Sequence, residues 1–296
     1  MHIKKDKKMR ILIILFSCAL FFSGCTVLNI LPSKKINKIS FDTESINPEY
    51  QFYFPDPNKD SIIFKIRENY PIEDLIRDEK DEQTKILLAL NWVRNQWEHN
   101  SWNNAGTKDA YVILKRAGQG EKFRCVEYGI VLKSVLATIG MKSRTLGLMT
   151  QDVEKVKFGA GHVLTEVWLN DHKKWAMVDA QFDVMPTLDN IPLSAVEFQS
   201  AIIEKKDFSL INLKGELNPE EYKKFMDFIP HYLYYFTISF DESTIDPDKM
   251  VRFNGNSSLM LVPLGSKQPS VFQRKYPIDD KDYTNSLKDF YKEPIK

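Results

Sequence analysis

The chain is short of cysteine, of basic clusters and of long apolar runs, and each shortage removes a class of protein. Three cysteines occur in 296 residues, at positions 18, 25 and 125. No CxxC or HxxxH spacing is present, so there is no case for a metal centre, and nothing in the sequence calls for a cofactor. Lys and Arg number 41 against 40 Asp and Glu, a net charge of +1. No Lys/Arg-rich stripe stands ready to neutralise phosphates, which argues against a nucleic-acid partner. Internal repeats and low-complexity segments are also lacking. What is present is ample material for burial: 43% hydrophobic residues, among them 19 Phe, 12 Tyr and 5 Trp. That supports one sizeable core or two small ones, since domains run to about 100–200 residues.

The charge is unevenly placed. Residues 1–24 carry Lys4, Lys5, Lys7, Lys8 and Arg10 against Asp6 alone, followed by an apolar run from Ile11 to Phe22. That run falls short of the ~20 residues that span a bilayer, so it reads as a targeting segment rather than a permanent helix. The sequence Leu20-Phe-Phe-Ser-Gly-Cys25 resembles a bacterial lipobox, in which the cysteine becomes the lipidated N-terminus. The expectation is a signal peptide over 1–24 and an exported protein anchored to the membrane through Cys25. The alternatives are a plain signal peptide cleaved near Gly24 and an uncleaved anchor. Under the lipoprotein reading, Cys18 leaves with the signal and Cys25 is consumed by lipid, so Cys125 is the only remaining thiol. An exported protein usually uses cysteines in disulfides; a solitary thiol is either buried filler or a reactive group.

Residues 25–48 are polar with scattered apolar side chains and read as a tether. Phe52, Phe54 and Ile62–Phe64 suggest edge strands. From Asp81 onwards Ile86, Leu90, Val93 and Trp97 recur with helical period, and Asp109 is placed to cap a helix over 110–116 closed by Gly118. Cys125 opens a helical stretch, CVEYGIVLKSVLATIG, with Gly140 as its stop. SRTLGLM (143–149) has strand character. HVLTEVWLN (162–170) and WAMVDAQF (175–182), joined by NDHKK, predict a hairpin with 162–169 paired to 174–181. Further on, 195–204 and 220–228 look helical, and 232–240 and 258–264 look like strands. Helices and antiparallel strands in this order give an α+β fold.

A thiol nucleophile needs its thiolate stabilised and its proton managed. The first turn of a helix supplies roughly half a positive charge beside the sulfur. A histidine accepts the proton and later returns it to a leaving group, and a third polar group orients the imidazole. The parts occur in this order: Cys125 at a helix start, His162 at a strand start 37 residues on, and Asp179 near the end of the paired strand. The predicted register sets His162 opposite residues near 179–181, which favours Asp179 over Asp183.

The segments FRCVEYGIVLKSVLATIGMKSRTLGL and GAGHVLTEVWLNDHKKWAMVDAQF resemble the core of the transglutaminase-like superfamily. The likeness lies in Cys125, the Ile139-Gly140-Met141 helix end, Arg144 with Gly147, Gly161-His162-Val163, Glu166-Val167-Trp168, and Lys174-Trp175 ahead of Asp179. It covers about residues 120–182. One departure is Asp179-Ala180 where many relatives have Asp-Pro. The resemblance implies a papain-like α+β fold, with the Cys helix packed on an antiparallel sheet bearing His and Asp. It implies Cys125 as nucleophile, His162 as general base and acid, Asp179 as orienting residue, and the Cys125 backbone N–H as one oxyanion donor. For the second donor the segment QWEHNSWNN offers Trp97, His99, Trp102 and Asn103; these residues could equally form a packed aromatic edge with polar tips. The domain is expected over 49–190, with 191–296 either an elaboration of it or a small second domain.

The expected activity is attack on a protein or peptide amide through a thioester. Hydrolysis by a peptidase or amidase is favoured over cross-linking by an acyltransferase, because water needs no second groove. The alternative is a catalytically inactive binding module at the cell surface. The lipid would hold the protein in the cell envelope, at the outer membrane or the outer face of the cell membrane. Arg144 is expected to brace an interior carboxylate, His172 to sit exposed in a turn, and Asp279-Asp280-Lys281-Asp282 to form a solvated face.

Overall fold

The computed structural model describes Ile36 and residues 38–294. The signal segment 1–24, the lipidation candidate Cys25 and the first part of the tether lie outside the described residues. In chain order the elements are α1 (Ser61–Asn69), α2 (Ile72–Ile76), α3 (Glu82–Arg94), α4 (Ala110–Ala117), α5 (Cys125–Thr138), β1 (Ser143–Met149), β2 (Gly161–Leu169), β3 (Lys174–Val178), β4 (Met185–Leu188) and β5 (Ile191–Pro192). Then follow α6 (Ala195–Ile203), β6 (Phe208–Asn212), β7 (Gly215–Glu216), α7 (Pro219–Phe228), a 3-10 turn (Pro230–Tyr232), β8 (Tyr235–Ser239), β9 (Ser258–Leu261), β10 (Val271–Phe272), β11 (Tyr276–Pro277), β12 (Lys281–Thr284) and α8 (Leu287–Phe290).

Helix starts follow local chemistry. Asp60, Asp81 and Asp109 each accept backbone N–H groups at the first turns of α1, α3 and α4, satisfying donors that a helix start leaves unpaired. Asp60 also decides a point on which the sequence misleads. Ile62–Phe64 suggests a strand, but with the cap in place the segment turns helical and buries Ile63 and Ile66, three apart on one face. At the other end of α5, Gly140 adopts a left-handed φ of 80° and stops the helix as expected.

A six-stranded sheet in the order β12-β9-β8-β1-β2-β3 organises the fold. All its pairs are antiparallel except β12 with β9. The hairpin register falls where expected, with Thr165 opposite Val178 and Leu169 opposite Lys174. The regular strand ends at Val178, and Asp179 continues as an isolated bridge to Val184. The sheet is covered on both faces, which explains why β2 is buried almost throughout rather than on alternate residues. On one face Val167, Leu169, Ala176 and Val178 join a core with α1 to α5. On the other, Leu146, Leu164 and Met177 pack with α6, α7, α8 and the aromatics of β8. α5 is buried nearly all round, consistent with its central place.

Residues beyond 190 supply β8, β9 and β12 to this sheet and also complete a smaller sheet, β5-β4-β6-β7. The acidic cluster at 279–282 is a solvated face only in part, with Asp279 exposed and the other three residues half-buried. It leads into β12, where Asp280 accepts from Ser257 and Arg252, and Asp282 accepts from the Tyr50 hydroxyl. The end of the tether is docked as well: Phe41 packs edge-on against Phe236, and Asn47 N–H donates to Asp289. Phe52 and Phe54 are core-packing residues outside any regular strand, Phe52 stacking on Phe240 and Phe54 on Trp175.

Candidate active site

Cys125 is the first residue of α5, half-buried and with its thiol free. The helix start is fixed by Glu127, a buried carboxylate that accepts from the Arg124 backbone N–H, the Arg124 guanidinium and the Ala105 N–H. One contact therefore ties together the N-terminus of α5 and the 95–109 connection. A second comes from Tyr128, whose hydroxyl donates to the Trp97 carbonyl at 2.6 Å while its ring stacks on the indole.

Gly129 sets the distance between helix and sheet. A Cβ at this position would lie 3.0 Å from Val163 Cγ1 and 3.3 Å from the Leu164 carbonyl oxygen. Its own carbonyl accepts from the Thr165 hydroxyl. α5 thus lies against β2 one turn after Cys125, beside the residue that follows His162. A side chain here would force its neighbours to give by a few tenths of an ångström, which glycine avoids.

His162 and Asp179 are both almost completely buried, and His162 Nε2 lies 2.7 Å from Asp179 Oδ2. Asp179 Oδ1 accepts from the Gln181 N–H, and the tight turn 179–184 wraps around the carboxylate. Burial pushes the His162 imidazole down, but the Asp179 carboxylate, by charge and hydrogen bond, and then the Cys125 side chain push it further up, to about 10. Since Nε2 is taken by Asp179, Nδ1 is the ring nitrogen left for Cys125. The imidazole is boxed by aromatic rings: Phe228 at 5.2 Å edge-on, Tyr232 at 5.9 Å and Phe182 at 6.3 Å. Burial, followed by the charge of Cys125, raises the Tyr232 hydroxyl to about 12, which sets that group near the sulfur. On the outer side, a Cβ at Gly161 would meet the Phe272 ring at 3.0 Å.

The four candidates for a second oxyanion donor separate clearly. Asn103 donates its amide to the Lys122 carbonyl, and Trp102 is 84% exposed. His99 is exposed and lies within the field of His162 and Asp179. Trp97, just past the end of α3, is buried against Phe123 and Tyr128, which lie two positions before and three after Cys125, and its indole Nε1–H has no partner. Asp183 is set apart from His162, accepting instead from Asn91 at 3.0 Å. Burial pushes its carboxyl up. Arg144 pairs with Glu166 as expected, directly across β1 and β2, at 2.6 and 3.1 Å. His172 is exposed in the β2–β3 turn.

Phe182, Phe228 and Tyr232 were not apparent from sequence as site residues. The last two lie more than sixty positions from His162 and share no spacing with it. Gly129 did leave a signal, since a glycine inside a helical pattern often marks close packing.

Residues 72–180 match the model of the transglutaminase-like superfamily core, and the chain carries a transglutaminase-like domain over that span. Cys125, His162 and Asp179 all fall inside it. Two solved structures show a more distant likeness. One is a candidate cysteine protease from Cytophaga hutchinsonii, 14% identical, with a TM-score of 0.34 over 48% of this chain and 46% of that one. The other is a candidate protease from Parabacteroides distasonis, also 14% identical, with a TM-score of 0.29 over 52% of this chain and 28% of that one. The chain thus spans less than half the length of either. No curated protein matches it significantly.

Proposed function

We propose that the protein is a cysteine-nucleophile acyl-transfer enzyme that hydrolyses amide bonds of peptides or proteins. The observation that carries this is the imidazole of His162, held by Asp179 at 2.7 Å and raised to about 10 with Cys125 as its other polar neighbour. An imidazolium beside a sulfur at a helix N-terminus favours the thiolate, which is the reactive form.

Cys125 Sγ attacks the carbonyl carbon of the amide, and the carbonyl oxygen takes up the negative charge. The Cys125 N–H and the partnerless Trp97 indole N–H receive that oxyanion. As the tetrahedral intermediate collapses, His162 Nδ1 gives its proton to the departing nitrogen, so an amine leaves and a thioester remains. The now neutral imidazole takes a proton from water, and the hydroxide formed attacks the thioester carbon. Collapse releases the carboxylic acid and restores the thiolate–imidazolium pair. Asp179 keeps Nδ1 directed at the sulfur throughout, and the ring box keeps water from the opposite edge of the imidazole. Water as acceptor requires no second groove, which favours hydrolysis over cross-linking.

Alkylation of Cys125 by iodoacetamide tests this without a known substrate. A free thiol ionises near pH 8.5 and reacts slowly below it. Cys125 is expected to react well at pH about 6, and His162→Ala to remove that advantage. A rate at low pH equal to that of a free thiol, unchanged by His162→Ala, would leave the fold as a non-catalytic binding module instead.

The protein works outside the cytoplasm, anchored in the bacterial cell envelope by lipid on Cys25. The basic start, the short apolar run and the Ser-Gly-Cys sequence support this. Cys25→Ser should release the protein from membranes or block its maturation; undiminished membrane retention would refute the anchor.

A further inference from the structure

The rim of the site on the side of His99 carries two cations that stand outside the ion pairs of the described residues. Arg94, the last residue of α3, directs Nη1 at the Trp97 carbonyl and the Tyr128 hydroxyl, both at 3.4 Å. Its guanidinium therefore lies against the turn of α5 that begins at Cys125. Lys224, exposed on α7, lies 6.0 Å from the centre of the Phe182 ring, which itself packs against the His162 ring. His99 is exposed and within electrostatic reach of both cations and of His162 and Asp179. Burial, then the charge of His162, and more weakly Arg94 and Lys224, push its imidazole down against the pull of Asp179.

The carboxylates nearby are committed elsewhere. Asp179 holds His162. Glu98 is bonded to Lys122. Glu221 accepts from the Asn218 N–H in the cap of α7. Burial pushes the Asp183 carboxyl towards its neutral form. Among the described residues neither Arg94 nor Lys224 forms an ion pair. A positive potential thus faces whatever approaches the half-exposed thiol, and an anionic group on the substrate would answer it.

We propose that Arg94 and Lys224 form a carboxylate-recognition rim beside Cys125, so that the amide attacked belongs to an acidic peptide with a carboxylate next to the scissile bond. This names the substrate class of the cysteine-nucleophile function proposed above and rests on it.

The test compares two alkylating reagents of nearly equal size on the full chain at low salt. Iodoacetate carries a carboxylate and iodoacetamide does not, so the ratio of their second-order rate constants with Cys125 reads the local potential. The His162 imidazolium contributes to that ratio in every variant, and the change between variants isolates the rim. Lys224→Gln is expected to lower the ratio severalfold, as removal of one nearby unit charge does at a solvated protein surface. Lys224→Arg should restore it. Arg94→Gln combined with Lys224→Gln should lower it further, and salt at about 1 M should flatten the differences. The iodoacetamide rate normalises any general disturbance of the thiol. A ratio indifferent to Lys224→Gln and to the double variant overturns the carboxylate rim while leaving the nucleophile in place. A Cys125 that reacts with both reagents no faster than a free thiol overturns the underlying function instead.

Discussion

Replacing Gly129 by alanine sets two effects of known size against each other. In an ordinary helix interior, alanine is more stable than glycine by about 0.8–1.0 kcal/mol. At position 129 the new Cβ would lie 3.0 Å from Val163 Cγ1 and 3.3 Å from the Leu164 carbonyl oxygen. Neither neighbour yields easily. Val163 is β-branched and stiff at χ1, and the Leu164 carbonyl belongs to a strand held between β1 and β3. Overpacking of this kind costs typically about 1–3 kcal/mol. The clash therefore outweighs the propensity gain, for a net loss of roughly 0–2 kcal/mol. The effect on the site is larger than the effect on stability. Cys125 lies one turn before Gly129 on the same helix face, and His162 adjoins Val163. A helix pushed off the strand by a few tenths of an ångström carries the thiol away from the imidazole. Urea unfolding with an unchanged m-value reads the stability, and iodoacetamide alkylation at low pH reads the site. A gain of about 1 kcal/mol with unaltered alkylation, the outcome for a freely exposed helical glycine, would refute the close-approach argument.

Further outcomes follow from buried charge and from the lone indole. Glu166→Gln leaves Arg144 buried without its carboxylate and should cost about 3–5 kcal/mol, whereas Arg144→Met with Glu166→Leu should cost less than either single change, as a double-mutant cycle in urea would show. His162 is raised in the fold to about 10 from an ordinary 6.5, so its bound proton stabilises the native state. That contribution is complete below pH 6.5 and is lost as pH rises to about 10. Unfolding free energy against pH should decline across this window in the native chain, and the decline should be missing in His162→Gln. Trp97→Phe keeps the ring stack on Tyr128 and removes only the indole N–H. With an acidic peptide amide as substrate it should lower kcat about 10²–10³-fold. An equal loss in iodoacetamide alkylation would show a structural defect and dismiss the oxyanion role.

Much of the site could be read locally. Cys125 at a helix start, His162 at a strand start and the hairpin register that brings Asp179 round all depend on short-range signals: a cap, a period of two, a turn. Thr165 opposite Val178 is the pairing expected from the turn alone. The second-donor candidates could only be named as a group, because the choice depends on which polar atoms the fold leaves unpaired. Asn103 meets the Lys122 carbonyl, whereas the Trp97 indole N–H has no hydrogen-bond partner. Ile62–Phe64 misled because three adjacent apolar residues fit a strand as well as a helix until Asp60 is seen capping them. The partners of the acidic cluster were not legible because β12 joins β9 in parallel, a long-range pairing with no turn to announce it. The aromatic box around His162 was out of reach for the same reason, being built from Phe228 and Tyr232 far along the chain.

The central claim is that Cys125 forms a thioester. The full chain, incubated with acidic peptide amides and quenched in acid, should carry the mass of the acyl group on the peptide containing Cys125. Hydroxylamine should remove that mass, and Cys125→Ala should neither acquire it nor cleave the amide. Cleavage that persists in Cys125→Ala, or turnover with Cys125 unmodified at every quench time, would contradict the mechanism.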